Sequence, residues 1–366
     1  MKIDLIAGAR PNFMKIAPII DAIHNAQKVG DNINYRLIHT GQHYDKNMSD
    51  SFFEQLSIPE PNVNLGAGGG SHAEQTASIM IGYEKLLISE KPDLCLVVGD
   101  VTSTMACSIV AQKFQVTVAH VEAGIRSGDW TMPEEINRLV TDSITNYFFT
   151  TTHEASINLK NSGIGKERIH LVGNTMIDTL LKHRTRFQKP IVWDKLNLSK
   201  GAYMVMTLHR PGNVDEEGKL KLLINEIISH SNNLPIIFPV HPRTEKILQK
   251  TGIHNNRLHM IEPLGYLEFN YLVENAKAVI TDSGGITEET TVMGIPCMTL
   301  RNNTERPETV NVGTNELIGT NPKAIKPAME KLFSGNWKKG SIPELWDGKS
   351  AERIVSILLK IFLIDK

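Results

Sequence analysis

Short apolar runs alternate with longer stretches of helical periodicity through almost the whole chain. In the first half the runs are Ile3 to Ala7, Leu94 to Val98, Val116 to Val121 and Ile169 to Val172. The second half repeats the pattern at Met204 to Leu208, Ile236 to Val240, Leu258 to Ile261, Ala278 to Thr281 and Cys297 to Leu300. Runs rich in Val and Ile, without polar alternation, suit parallel strands covered by helices on both faces. The expected fold class is therefore α/β, with two Rossmann-like, doubly wound parallel-sheet domains. Residues 1–175 and 201–349 read as the two domains, and 176–200, polar and interrupted by Pro190, as linker and domain entry. An amphipathic helix near 350–366 closes the chain and is free to pack back on the first domain.

Polar residues follow these runs repeatedly. Gly8-Ala9-Arg10, Asp100 and Glu122 do so in the first half; His209-Arg210, His241, Asp282-Ser283-Gly284-Gly285 and Arg301 do so in the second. In a parallel sheet all such points lie on the carboxyl edge, where open α/β sheets bind ligands. Two edges facing each other would enclose a polar cleft.

The densest stretch runs from Ala119 to Arg138. An apolar run ends in Glu122, and a turn with Arg126 leads to Pro133-Glu134-Glu135 and Arg138. Several carboxylates can meet bases here. Acids after a proline at a helix start also simply complement the dipole, and on the residues alone both readings stand.

The first turn, GARPNFMK, lacks GxGxxG, which weakens a nicotinamide or flavin reading, yet Arg10 and Lys15 sit at a helix entrance that welcomes anions. In DSGGITEE the glycines let backbone N–H groups approach an anion, the helix dipole adds partial positive charge, and Glu289 can accept ribose hydroxyls. A plain Asp/Ser helix cap is the alternative. GAGGGS at Gly66 to Ser71 is no P-loop, and reads as a mobile flap or a flexible connector.

Composition narrows the classes. The 366 residues exceed one ordinary core, and 41% hydrophobic with 22% charged is a globular composition. A net charge of −1 gives no global pull toward nucleic acid or anionic membrane. Met1-Lys2 leads directly into an apolar strand, and a cytoplasmic location is expected. Cys95, Cys107 and Cys297 read as buried small hydrophobes. His153, His170, His183, His254 and His259 have no ligand-spaced partners and read as surface or loop residues; no metal site is expected.

Taken together, GARPNFMKIAPI, VVGDVTST, HVEAGIRSGDWTMPEEINR, VGNTMIDTL, TLHRPGNVD, PVHPR, TDSGGITEE and RNNTERPE resemble the bacterial non-hydrolysing UDP-N-acetylglucosamine 2-epimerases, in order over nearly the whole chain. The resemblance implies a GT-B fold, its two domains facing a central cleft. It also implies a cytoplasmic homodimer that needs no cofactor and interconverts UDP-N-acetylglucosamine and UDP-N-acetylmannosamine by eliminating UDP and adding it back. Carried over by position, Asp100, Glu122 and Glu134 form the acid/base set, with Lys15 and His209 beside the reacting sugar. Arg10, Arg138, Arg210, His241, Ser283, Gly284, Gly285, Glu289 and Arg301 are the expected UDP-sugar contacts.

Two departures stand out. Pro211-Gly212-Asn213 follows His209-Arg210 where many members carry Arg and Glu. Gln42 and His43 remain from an allosteric site, but GAGGGSHAEQ replaces its Arg-Gln, so that regulation is expected to be lost or altered. The rival readings are a hydrolysing 2-epimerase, an epimerase of a modified UDP-HexNAc, a GT-B glycosyltransferase and a UDP-sugar sensor.

Overall fold

The computed structural model describes residues 1–41, 53, 55–240, 245, 247, 248, 252, 253 and 255–364. The chain forms two compact units, Met1–Lys182 with Glu344–Lys366, and His183–Pro343.

The first unit is built on β1 (Lys2–Ala7), α1 (Arg10–Lys28), β2 (Asn34–His39), β3 (Val63–Asn64), α2 (His72–Ser89), β4 (Leu94–Val98), α3 (Thr102–Lys113), β5 (Thr117–Val121), α4 (Pro133–Ile144), β6 (Tyr147–Thr150), α5 (His153–Asn161) and β7 (Ile169–Leu171). Its strands are all parallel, in the order β3-β2-β1-β4-β5-β6-β7. The order reverses between β1 and β4, so the turns leaving these two strands diverge and open a crevice at their carboxyl ends. Asn12 fastens the two turns. Its Oδ1 accepts from the N–H groups of Gly8 and Ala9, each at 3.0 Å, and its Nδ2 donates to the Val98 carbonyl at 3.1 Å.

The expected linker at 176–200 is not a plain coil. Helix α6 (Thr175–His183) and the short α7 (Ile191–Lys195) occupy much of it, and the unit boundary falls at 182/183. At the other end the chain rejoins the first unit from Glu344, ahead of the expected helix. Trp346 is buried and donates its Nε1–H to the Thr151 carbonyl at 3.1 Å. The buried Asp178 accepts from the Ala351 N–H at 2.7 Å, at the start of the closing helix Ser350–Ile364, which packs on α1.

The second unit contains β8 (Met204–Thr207), α8 (Pro211–Val214), α9 (Glu217–Ser229), β9 (Ile236–Pro239), β10 (Leu258–Ile261), α10 (Tyr266–Asn275), β11 (Ala278–Thr281), α11 (Gly284–Met293), β12 (Cys297–Thr299), α12 (Pro307–Asn311), β13 (Asn315–Leu317) and α13 (Ile325–Phe333). It is again wholly parallel, in the order β10-β9-β8-β11-β12-β13, with its reversal between β8 and β11. Met204, Met206, Ile236, Phe238 and Ile280 of the sheet pack with Leu223 and Ile227 of α9 and Leu332 of α13 in one core. Cys95, Cys107 and Cys297 are buried, as their apolar neighbours predict.

Candidate functional site

Both switch points collect the candidate residues of their own unit. In the first unit, Glu122 stands directly after β5 at φ +71°, a left-handed backbone that a glutamate rarely adopts and that surrounding structure must hold. Its N–H donates to the Phe149 carbonyl at 3.0 Å, and the side chain is 4% exposed. Lys15, in the second turn of α1 and 7% exposed, places Nζ 2.6 Å from Glu122 Oε2. Lys15, expected at a helix entrance that welcomes anions, is half of a buried ion pair. Gly99, at φ +67°, leaves room for it: a Cβ there would stand 3.0 Å from Lys15 Nζ. The left-handed backbone, more than the space, favours glycine at this turn after β4.

Asp100 follows immediately and pairs with Arg138 of α4. Asn137 Nδ2 donates to the Asp100 carbonyl at 2.8 Å. The two glutamates after Pro133 separate by helical phase. Glu134 faces solvent, while Glu135 is buried and accepts from the N–H groups of Ser127 and Gly128, each at 3.0 Å, and from Arg138 Nε at 2.9 Å. Burial works to raise the Glu135 carboxyl, but those two N–H groups and Arg138 hold it below its ordinary value. Glu135 thus shapes the loop and aims Arg138 at Asp100, a role the sequence reading did not assign. Arg10 is half-buried at the mouth of the β1 turn, where desolvation lowers its guanidinium's pKa.

In the second unit Asp282 is the centre. It is 0% exposed, and its carboxylate accepts from the N–H groups of His209, at 3.2 Å, and Arg210, at 3.0 Å, and from Asn213 Nδ2 at 3.1 Å. Its Oδ1 lies 2.7 Å from His209 Nδ1. Burial pushes Asp282 up, but His209 first, then the Arg210 N–H and Asn213, bring it below its ordinary value. The His209 side chain is 57% exposed, so one ring nitrogen is anchored and the imidazole is presented at the edge. The plain cap reading of DSGG fails on this geometry: Asp282 turns back to the β8 loop, and Ser283 makes no side-chain capping bond at α11.

Gly284 and Gly285 open α11, and a Cβ on Gly284 would lie 2.7 Å from Glu305 Oε1. Glu305 is buried and accepts an ion pair from Arg301 at 2.6 Å. Its carboxyl is held down at about 2, because Arg301 and Arg306 outweigh the cost of burial. Arg210 donates through Nε to the Asp282 carbonyl at 3.1 Å. Glu289 is buried in α11, accepts from the Tyr266 hydroxyl at 3.0 Å, and is pushed up to about 7, by burial first. His241, Gln42, His43 and His254 lie outside the described residues.

Two expectations are corrected. GAGGGS does not begin as a free flap, because the Leu65 and Ala67 N–H groups donate to the His39 and Thr40 carbonyls, each at 2.8 Å, and carry the β2 edge onward. His183 is buried, not a surface residue, and its Nδ1 lies 3.0 Å from Arg186 Nη1. No set of three metal-ligating side chains occurs among the described residues, and no helix among them is long and apolar enough to cross a membrane.

The family model described as UDP-N-acetylglucosamine 2-epimerase matches residues 25–359. The UDP-N-acetylglucosamine 2-epimerase of Methanocaldococcus jannaschii is 43% identical over 98% of this chain and 99% of its own. A crystal structure of that protein in complex with UDP-GlcNAc and UDP superposes with a TM-score of 0.88, covering 98% of this chain and 100% of that one. The UDP-2,3-diacetamido-2,3-dideoxy-D-glucuronate 2-epimerase of Pseudomonas aeruginosa is 40% identical over 99% of this chain and all of its own.

Proposed function

Because this chain belongs to the UDP-N-acetylglucosamine 2-epimerase family, whose GT-B architecture its two parallel-sheet units share, we propose that it is an isomerase interconverting UDP-N-acetylglucosamine and UDP-N-acetylmannosamine. The C2 hydrogen has no adjacent carbonyl, so simple enolisation is closed. A base instead takes the C2 proton while the bond from C1 to the diphosphate oxygen breaks. The C–H electron pair becomes the C1=C2 double bond of 2-acetamidoglucal, and UDP departs with the C–O pair. A proton is then returned to C2 from the opposite face as the UDP oxygen re-forms its bond to C1.

The observation that carries this reading is the paired arrangement at the first switch point. Asp100 is joined to Arg138, and Glu122 to Lys15 at 2.6 Å, on the turns leaving neighbouring strands. The buried cation beside each carboxylate holds it in place at the carboxyl edge, and a positioned carboxylate is what general acid–base catalysis needs. Glu134, exposed on the first turn of α4, completes the acid/base set. Gly284 and Gly285 offer N–H groups, Ser283 its hydroxyl and Arg210 its charge to a departing diphosphate, His209 stands beside the sugar, and Glu289 takes the ribose.

The test is proton NMR of UDP-N-acetylglucosamine incubated with the protein in D2O. Deuterium at C2, with UDP-N-acetylmannosamine rising to an equilibrium mixture, is the expected result. Free N-acetylmannosamine with equimolar UDP would place the protein in the hydrolysing branch. The identity to the diacetamido-glucuronate epimerase favours a second reading, a UDP-2-acetamido sugar altered away from C2; such a substrate would exchange C2 where UDP-N-acetylglucosamine does not. We read the working form as a cytoplasmic homodimer, and light scattering of the purified protein at the mass of one 40.8 kDa chain would refute the dimer.

A further inference from the structure

Beneath the acid/base set lies a histidine that the proposed reaction does not use. His120 of β5 is 0% exposed and bridges two elements. Its Nδ1 lies 2.8 Å from Asp142 Oδ1 in α4, and its Nε2 lies 2.8 Å from the carbonyl oxygen of Gly99, the residue before Asp100. A carbonyl oxygen can only accept, so Nε2 carries a proton. Asp142 accepts through Oδ2 from Arg126 Nη1 at 2.7 Å and from the Gly124 N–H at 3.1 Å. An acid so placed is ionised, its Oδ1 is an acceptor too, and Nδ1 must donate to it. A ring that donates from both nitrogens is an imidazolium.

We propose that His120 is a positioning residue, a buried imidazolium that straps the Gly99 carbonyl to α4 and so fixes Asp100 and Glu122 for proton transfer.

The surrounding bonds give the strap its leverage. The Gly99 N–H donates to the Val121 carbonyl at 3.0 Å, one residue before Glu122, while its carbonyl is held through His120 by Asp142. Helix α4 grips the next residue twice more, through Asn137 to the Asp100 carbonyl and through Arg138 to its carboxylate. Both candidate carboxylates therefore hang from backbone that His120 ties to one helix.

Charge makes the proton matter. The ion pairs of this cluster join Lys15, Arg126 and Arg138 with Asp100, Glu122, Glu135 and Asp142, three cations against four anions. The His120 imidazolium makes it four against four. A neutral ring would leave this largely buried cluster with one more negative than positive charge, which is costly and loosens the ion pairs that hold the carboxylates in place.

The inference rests on the epimerase reading for its kinetic consequence only, since the protonation of the ring is measurable without substrate. Long-range proton–nitrogen NMR on the 15N-histidine-labelled protein at the assay pH is expected to show both His120 nitrogens protonated. His120→Gln and Asp142→Asn are each expected to lower kcat for C2 exchange about 100-fold through displaced carboxylates, with KM changed by less than about twofold because neither residue touches substrate. A singly protonated His120 ring overturns the proposal. So does full kcat in either folded variant, and Asp142→Asn, which keeps the side-chain shape, decides if His120→Gln does not fold. An unaltered protein that turns over no UDP-sugar would refute the activity, and the NMR result would still decide the imidazolium.

Discussion

Glu122→Gln is expected to lower kcat/KM for C2 epimerisation about 1000-fold, in the upper part of the range for losing a positioned acid or base. The amide keeps the size of the carboxyl but can neither take a proton from C2 nor neutralise Lys15, whose Nζ lies 2.6 Å from the carboxylate it would lose. Both side chains are buried, so removing one charge leaves the other stranded at a cost of roughly 3–5 kcal/mol. Stability and activity thus fall together, and the measurement must separate them. Denaturant unfolding gives the first; deuterium incorporation at C2, measured where the variant is fully folded, gives the second. If Glu122 serves only as the structural partner of Lys15, the folded variant will keep its kcat. A double-mutant cycle with Lys15→Met sharpens the point: stability is expected to recover in the pair, because no charge is stranded, while activity stays low. Backbone strain offers an internal control. Glu122→Gly relieves the φ of +71° and still loses the reaction, so a gain in local comfort cannot stand in for the carboxylate.

Strands β4, β8 and β11 were legible because their side chains are apolar or nearly so and buried, and β1 because Ile3, Leu5, Ile6 and Ala7 outweigh its one buried acid, Asp4. Strand β2 was not. Its sequence NYRLIH carries Arg36, which is buried only because Nε and Nη2 donate to Asp4 at 2.8 and 2.9 Å. An ion pair formed across strands leaves no mark in a local hydrophobic pattern. Strand β3 is only two residues long, β6 is an aromatic YFFT and β13 a mostly polar NEL, so none of the three makes an aliphatic run. The site divides the same way. Residues that end a strand, such as Asp100, Glu122 and His209, could be placed on the carboxyl edge from sequence. Those that work by reaching another element could not: Glu135 and Asp142 became meaningful only when folding set them against Arg138 and His120, and Asp282, placed on the edge from sequence, showed its hold on His209 only in the fold. Helical phase also chose between two adjacent glutamates, turning Glu135 inward and Glu134 to solvent.

Asp282→Asn carries the second large effect, because this one side chain both closes a turn and aims a candidate catalytic group. Four donors converge on it: His209 Nδ1, the N–H groups of His209 and Arg210, and Asn213 Nδ2. An amide offers one accepting oxygen and turns two hydrogens toward the remaining donors. With no solvent at the site, that is expected to cost about 3 kcal/mol of stability. The sign of the pH dependence follows from the carboxyl standing below its ordinary 3.8 in the folded protein. Its contribution is fully present above that value and is lost as pH falls through the folded one, so wild type and variant converge in acid and diverge at neutral pH. Activity adds an independent readout. With Nδ1 no longer held, the exposed imidazole of His209 loses its fixed orientation, and kcat is expected to fall about 100-fold even where the variant is folded. His209→Ala in the Asp282→Asn background should then lower kcat little further, since the group it removes is already misplaced. Equal and additive losses from the two substitutions would mean that His209 works without Asp282, and that the aspartate serves the turn alone.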